Sequence, residues 1–131
     1  MSVESTAEVM QRYWASGHSD TSMMADDVTF TIMDTGEEHR GPEGVLRMLE
    51  GFYHGSFEAT AEITNSIIGD GHAMVEGYVV GKHTGEFAGI PATGKDVRVP
   101  ICVTYDVEDD KVKRGRVYFA MGALLQQLGM R

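Results

Sequence analysis

The chain has 131 residues, of which 42% are hydrophobic, and its formal net charge is −9. This length suits one core, so we expect a single domain over residues 1-131. This acidic net charge disfavours nucleic acid and anionic membranes as partners. The sequence has no run of roughly eighteen apolar residues and no stretch that resembles a secretion signal, so we expect a cytoplasmic protein.

The first part of the chain predicts helices around one strand. An amphipathic helix is expected over 3–16, with its apolar face at Val3, Ala7, Met10 and Trp14. A short second helix is expected within 20–25, and the alternating run 28–33 predicts a strand. Proline and glutamate at the start of 41–51 favour a third helix there.

The second part of the chain predicts consecutive strands over 59–68, 73–82, 97–107 and 111–119, followed by a short closing helix over 121–129. Short turns between these strands indicate an antiparallel meander. We therefore predict an α+β, cone-shaped domain in which a strongly curved, mainly antiparallel sheet wraps over about three N-terminal helices. Such a sheet leaves a cavity at its open end.

Glycines recur every fourth position at Gly77, Gly81, Gly85 and Gly89. Glycine inside a strand permits bulges and sharp curvature, so these positions are predicted to be structural.

Four tracts of the chain resemble the SnoaL-like polyketide cyclases. They are Gly81 to Lys95, Leu124 to Gly129, Thr35 to Glu43 and Phe52 to Ala59. The resemblance implies the cone fold shared with ketosteroid isomerases and limonene epoxide hydrolases. It also implies a pocket for a small apolar or carbonyl-bearing ligand, and a homodimer.

The resemblance singles out Ala120. The cyclases carry an aspartate at this position, after the last strand, and it serves as general acid or base in an aldol ring closure. Here a methyl group replaces the proton-transfer group, whether the alanine is natural or introduced. We expect Ala120 on the pocket wall.

Three further residues are candidates for the chemistry. Arg116 and Tyr118 share a strand face with Ala120, and a guanidinium and a phenol can stabilise an enolate oxygen. The alternative is an arginine paired to Glu76 or Asp106. Asp34, just after the first strand, is the best remaining carboxylate base if burial at the cavity mouth raises its pKa. Alternatively, it is an ordinary turn residue.

Histidines are the usual proton carriers near neutral pH. His83 is either catalytic or a polar bridge at a bend, and His54 either caps the third helix or reaches the cavity. The remaining histidines, His18, His39 and His72, are expected in solvated turns. No two histidines have the spacing of metal ligands on one face of an element, and the single cysteine cannot form a thiolate site. We therefore expect no metal and no cofactor.

Aromatic residues are candidates for an apolar lining that contacts a ligand, with the protein core as the alternative. They are Trp14, Phe30, Tyr53 and Phe57.

Two functions from different classes remain open. One is a cofactor-independent cyclase, isomerase or lyase that transfers protons on a polyketide- or terpenoid-like substrate, and the other is a non-catalytic ligand-binding or helper protein with the same pocket. An epoxide-hydrolase-like relative is a third possibility, ranked below these two, because it needs acids flanking an arginine on the pocket wall and only Arg116 is well placed.

Overall fold

The computed structural model describes residues 1–129, which form three α-helices and six strands. The helices are α1 (Val3–Ala15), α2 (Gly41–Glu50) and α3 (Met121–Gln127). The strands are β1 (Met24–Ile32), β2 (Glu37–Arg40), β3 (Phe57–Ile68), β4 (His72–His83), β5 (Asp96–Glu108) and β6 (Lys111–Phe119). None of these helices is long and apolar enough to cross a membrane.

All six strands belong to one mixed sheet with the order β2-β1-β6-β5-β4-β3. Strands β3 to β6 pair antiparallel with their neighbours in the chain, so the predicted meander is confirmed. Strand β1 lies parallel to β6, with Thr31 opposite Arg116. The α+β cone is therefore confirmed, with one parallel pair that the local pattern did not predict.

The helix α1 begins with a reciprocal cap. The Ser5 backbone N–H donates to Ser2 Oγ at 3.0 Å, and the Ser2 N–H donates to Ser5 Oγ at 2.9 Å. Its buried face is centred on Met10 and Tyr13, both 0% exposed, whereas Val3 is 47% exposed. The predicted apolar face was therefore displaced around the helix, because the tyrosine ring fills the core where α1 crosses the sheet.

Two local elements differ from the sequence prediction. The expected second helix is a single 3₁₀ turn over Thr21–Met23, and β1 begins directly after it. Residues Glu37–Arg40, which include His39 and thus a residue expected in a turn, form strand β2 because they pair with β1. This polar tetrapeptide has no apolar alternation, so its strand depends on a partner rather than on its own pattern.

Close approach of β3 and β4 explains two of the regularly spaced glycines. A Cβ at Gly77 would lie 2.0 Å from the Glu62 carbonyl oxygen, and one at Gly81 would lie 2.2 Å from the Glu58 oxygen. A register shift in β3 falls between Ile63 and Asn65, opposite Gly77. These glycines let the sheet bend sharply at this point, in agreement with their predicted structural role.

Buried residues form two clusters on the inner face of the sheet, the face that packs against the helices. One cluster includes Met10, Tyr13 and Val28, and the other includes Phe57, Val99 and Leu124. Burial of each such side chain contributes about 1.5–3 kcal/mol. Ile101 and Phe119 contact both clusters and thus lie at the junction between them.

Candidate functional site

A cavity of about 480 Å³ lies between the inner face of the sheet and the segment that follows α2. The sheet contributes branched apolar side chains such as Val75, Val103 and Val117. Phe52 and Tyr53 come from a π-helical turn, Gly51–Ser56, that extends α2 toward β3. The walls therefore suit a flat, apolar small molecule.

Polar groups from the β1–β2 hairpin lie at the mouth of this cavity. Glu37 and His39 are two residues apart on β2, so their side chains share the face that lines the cavity. The His39 Nε2 atom lies 3.3 Å from Glu37 Oε1. The histidine side chain is 24% exposed and the glutamate side chain 63%, so the carboxylate lies on the solvent side of the imidazole.

Three tyrosines supply hydroxyl groups around the same space, of which Tyr13 and Tyr105 are buried and Tyr53 is half-buried. Tyr53 and Tyr105 line the cavity, and Tyr13 packs edge-on against Tyr105 with ring centroids 6.2 Å apart. Burial raises the pKa of Tyr53 to about 12 and raises the pKa of Tyr13 and Tyr105 as well. The three phenols therefore remain protonated hydrogen-bond donors throughout the neutral range.

His18 also lines the cavity, from the loop after α1. Its backbone is in the left-handed region, with φ of 65°, and its ring packs edge-on against Tyr13 at 5.2 Å. Burial lowers the pKa of the imidazole, partly opposed by a backbone hydrogen bond with Gly17. His18 is thus neutral near pH 7.

The expectation that His18 and His39 are solvated is wrong. His18 does lie in the turn after α1, but His39 lies in strand β2 rather than in a turn. His39 could have been found from sequence only by treating 37–40 as a strand with Glu37 and His39 on one face. His18 gave no such signal, because it lies in an irregular loop after α1, where no periodic pattern indicates which way a side chain points.

Arg116 and Tyr118 do share one side of β6, but it is the outer one, and Ala120 lies just beyond the end of β6, at the N-cap of α3. Val117 is 9% exposed and faces the cavity, whereas Tyr118 is 46% exposed. Tyr118, Ala120 and Asp34 line a shallow groove on the outside of the sheet. The expected placement of Ala120 on the cavity wall is corrected, because Phe119 and Met121 line the cavity whereas Ala120 between them packs against the cluster that includes Phe57.

The guanidinium of Arg116 is engaged on that outer face. Its Nη2 donates to Asp106 Oδ2 at 2.9 Å and its Nη1 donates to Oδ1 at 3.3 Å. Arg114 and His72 contact the same carboxylate, at 3.2 and 3.1 Å. The hydrogen bonds from Arg116, above all, lower the pKa of Asp106. Arg116 therefore pairs with Asp106, one of the two acids named as alternative partners, and does not face the cavity.

Asp34 is exposed in the tight turn between β1 and β2. The turn is closed by the Thr35 and Gly36 N–H groups, which donate to the Ile32 carbonyl at 3.3 and 2.8 Å. The burial expected for an acid at the cavity mouth is absent, and Asp34 does not line the cavity. It is placed as an ordinary turn residue.

His83 is fully buried outside the cavity lining. Its Nδ1 accepts a hydrogen bond from the Thr93 N–H at 3.2 Å, and its backbone N–H donates to the Lys95 carbonyl at 2.9 Å. The neutral ring therefore carries its proton on Nε2, which has no hydrogen-bond partner among the described residues. His83 fastens the loop after β4 and so acts as the polar bridge considered above.

The remaining predicted lining residues divide between cavity, core and surface. Tyr53 lines the cavity, as expected. Phe30 and Phe57 are buried in the core, 2% and 0% exposed, and Trp14 packs edge-on against Tyr105 at 6.1 Å. The His54 side chain is 66% exposed and lies 3.9 Å from Glu58, so it does not reach the cavity.

Candidate metal ligands are dispersed. Within residues 1–129, no three histidine, cysteine or acidic side chains lie close enough together to hold a metal ion.

A cone-shaped α+β domain with an apolar cavity inside its curved sheet defines the ketosteroid isomerase-like class of fold. The chain belongs to the family of SnoaL-like polyketide cyclases, whose sequence model matches residues 4–128. Membership of this family indicates a cyclase- or isomerase-type function that needs no cofactor.

Solved structures share this fold at low sequence identity. A proposed SnoaL-like polyketide cyclase from Jannaschia is 17% identical, with 98% of this chain and 94% of that chain covered and a TM-score of 0.86. IdmH, a proposed polyketide cyclase from Streptomyces antibioticus, is 20% identical over 95% and 99%, with a TM-score of 0.77. A proposed ketosteroid isomerase from Kribbella flavida is 16% identical over 88% and 78%, with a TM-score of 0.66. Among curated protein sequences, none matches this chain.

Proposed function

We propose that this protein is a cofactor-independent enzyme that transfers a proton on a carbonyl-bearing, polyketide- or terpenoid-like molecule bound inside the cone. The observation that carries the proposal is the apolar cavity of about 480 Å³ with phenol and imidazole groups on its wall. Ligand sites typically measure about 300–1,000 Å³ and combine apolar walls with a few convergent polar groups.

The tyrosines support a carbonyl as the reacting group. A phenol whose pKa is raised by burial stays protonated and donates a hydrogen bond to a carbonyl oxygen as that oxygen becomes an enolate. Tyr53 and Tyr105 both line the cavity and both have this property. Their donors lie in apolar surroundings, where such hydrogen bonds stabilise a developing negative charge more strongly than in water.

Proton exchange on a simple ketone tests this function without the natural substrate. The probe is 2-tetralone, a flat bicyclic ketone, incubated with the protein in D₂O while ¹H NMR follows the loss of its α-protons. We expect exchange faster than in buffer or in buffer with an unrelated protein of similar charge. Exchange no faster than these controls would count against an enzymatic function of the cavity.

A matched pair of variants on β3 shows whether exchange occurs in the cavity. Ala61 lines the cavity, whereas its neighbour Thr60 is exposed on the opposite face. Ala61→Phe should suppress exchange by filling the ligand space, and Thr60→Phe should leave it unchanged. Equal rates for the two variants would place the reaction elsewhere.

A non-catalytic ligand-binding or helper protein is the second candidate. Ala120, at the position of the family's acid, is the observation that favours it. On this alternative the protein binds 2-tetralone without exchange, and Ala120→Asp creates the exchange activity. An epoxide-hydrolase-like reaction has less support, because the acid that flanks Arg116 lies with it on the outer face.

We also propose that the protein forms a homodimer through the outer face of the sheet. Tyr118 and Ile67 are 46% and 55% exposed there, and Tyr118 lies in the outer groove beside Cys102. In light scattering after size exclusion, Tyr118→Arg should yield a monomer. Val3→Arg alters an equally exposed residue of α1, 47% exposed, and should leave the dimer intact. A dimeric Tyr118→Arg variant would exclude this face as the interface.

A further inference from the structure

The family's acid position offers no proton acceptor inside this cavity. Ala120 carries a methyl group, and its neighbours Phe119 and Met121 are the residues that reach the cavity lining. Asp34 lies in the outer groove. Proton transfer on a bound ketone therefore requires another base on the inner wall.

The cavity contains few groups able to accept a proton. The phenols of Tyr53 and Tyr105 are held in their protonated form, and Arg47 is a permanent cation. The remaining titratable groups of the lining are Glu37, His39 and His18. Of these, Glu37 is the most exposed to solvent, which makes the two imidazoles the stronger candidates.

The two histidines differ in what would stabilise their charged form. Within residues 1–129, no carboxylate lies within salt-bridge distance of His18, and its burial against Tyr13 disfavours an imidazolium there. His39 lies 3.3 Å from the Glu37 carboxylate. A positive charge gained by His39 is therefore compensated directly, whereas one gained by His18 is not.

The contact also distinguishes the two ring nitrogens of His39. Nε2 is the nitrogen nearer the Glu37 carboxylate, at 3.3 Å, so a proton on Nε2 lies beside the negative charge and leaves the lone pair of the neutral ring on Nδ1. Nδ1 is therefore the nitrogen that can act as a base. This is the arrangement in which an acid orients a histidine base.

We propose that His39, positioned by Glu37, is the catalytic base of this cavity and takes the place of the absent strand-end acid. Its Nδ1 accepts the α-proton of the bound ketone as the C–H bond breaks, and the electron pair moves onto the carbonyl oxygen to form an enolate. The phenols of Tyr53 and Tyr105 donate hydrogen bonds to that oxygen. Return of the proton from Nδ1 to the same or a conjugated carbon completes an exchange or an isomerisation. This inference rests on the function proposed above.

Deuterium exchange into 2-tetralone tests His39 directly. A general base contributes about 10²–10⁴-fold, so His39→Ala should slow exchange by at least about a hundredfold, with 2-tetralone affinity unchanged. Free imidazole added to His39→Ala should restore part of the rate, because it can occupy the space left by the side chain. His39→Asn provides a second folded variant without a base and should be as slow as His39→Ala.

The role of Glu37 is tested by a pair of variants on one strand. Glu37→Gln should lower the maximal exchange rate and leave the apparent KM unchanged, and Glu37→Asp should recover part of the rate. Glu38, on the opposite face of β2, pairs with Arg40 at 2.8 Å. Glu38→Gln therefore removes a carboxylate from the same strand and should have no effect on exchange.

The outcomes separate this inference from the proposed function. If the wild-type protein does not accelerate exchange, the proposed function fails and His39 has no reaction to catalyse. If the wild type is active and both His39 variants retain its rate, the proposed function stands and the assignment of His39 is overturned. It is also overturned if His18→Ala, rather than His39→Ala, abolishes exchange, or if weaker ligand binding accounts for the whole loss.

Discussion

Arg116 donates to Asp106 at 2.9 Å across neighbouring strands on the outer face of the sheet. Because Arg114 and His72 contact the same carboxylate, Asp106 is the centre of a charge network that links β4, β5 and β6. The side chain of Asp106 is only 15% exposed, although its partners are more accessible. The arginine predicted to hold a substrate oxygen thus joins strands instead.

The first prediction concerns this network. Asp106→Asn should reduce the free energy of unfolding by about 1–2 kcal/mol near neutral pH, measured by urea denaturation, because two guanidinium groups lose their anion. Its folded-state pKa is lowered, so the stabilisation is present above the unfolded pKa and is lost as pH falls through the folded one. The wild type and the variant should therefore converge in acid.

Glu108 is the matched control for Asp106. It lies 3.7 Å from Arg114 and its side chain is 57% exposed, so Glu108→Gln should cost less than about 0.5 kcal/mol. Equal losses of unfolding free energy in Asp106→Asn and Glu108→Gln would show that the central position of Asp106 in the network does not affect stability.

The second prediction concerns Asp34. If Asp34 were the base, Asp34→Asn would reduce exchange by at least about a hundredfold. The structure places this carboxylate in an exposed turn beside the outer groove, and we expect the exchange rate of 2-tetralone to be unchanged. A large loss, with folding intact by circular dichroism, would return Asp34 to the mechanism.

The third prediction separates two effects of an acid at position 120. Ala120 is the N-cap of α3 and provides no side-chain hydrogen bond there. Ala120→Asp and Ala120→Asn should therefore both raise stability by about 1 kcal/mol, since aspartate and asparagine cap helices equally well. Neither should increase exchange. Faster exchange in Ala120→Asp alone would mean that an acid at this position does act on the ligand.

The fourth prediction concerns sheet curvature. Gly77→Ala places a methyl group against the Glu62 carbonyl oxygen, and the steric conflict should cost about 1–3 kcal/mol or more in thermal or urea unfolding. A methyl group at Gly44, in α2, would point into open space among the described residues, and Gly44→Ala should stabilise the protein by up to about 1 kcal/mol. A Gly77→Ala variant as stable as the wild type would contradict the close approach of β3 and β4.

Much of the fold follows from local sequence pattern. Alternating residues and short turns specify strands β3 to β6 and their antiparallel order, since each strand pairs with the next one along the chain. The tract from Gly81 to Lys95 and the residues from Leu124 to Gly129 were enough to indicate the family. The polar strand β2 and the parallel pairing of β1 with β6 escaped detection, because both depend on partners distant in sequence.

The site shows where local pattern stops being informative. Alternation along β6 determined that Arg116 and Tyr118 lie on one side of the strand, but not which side faces the helices. Tertiary packing decided this by burying Val117 beneath the helices and leaving Tyr118 outside. In the same way the sequence alone determined the family, whereas the packed cone decided that Glu37 and His39 lie at the cavity mouth.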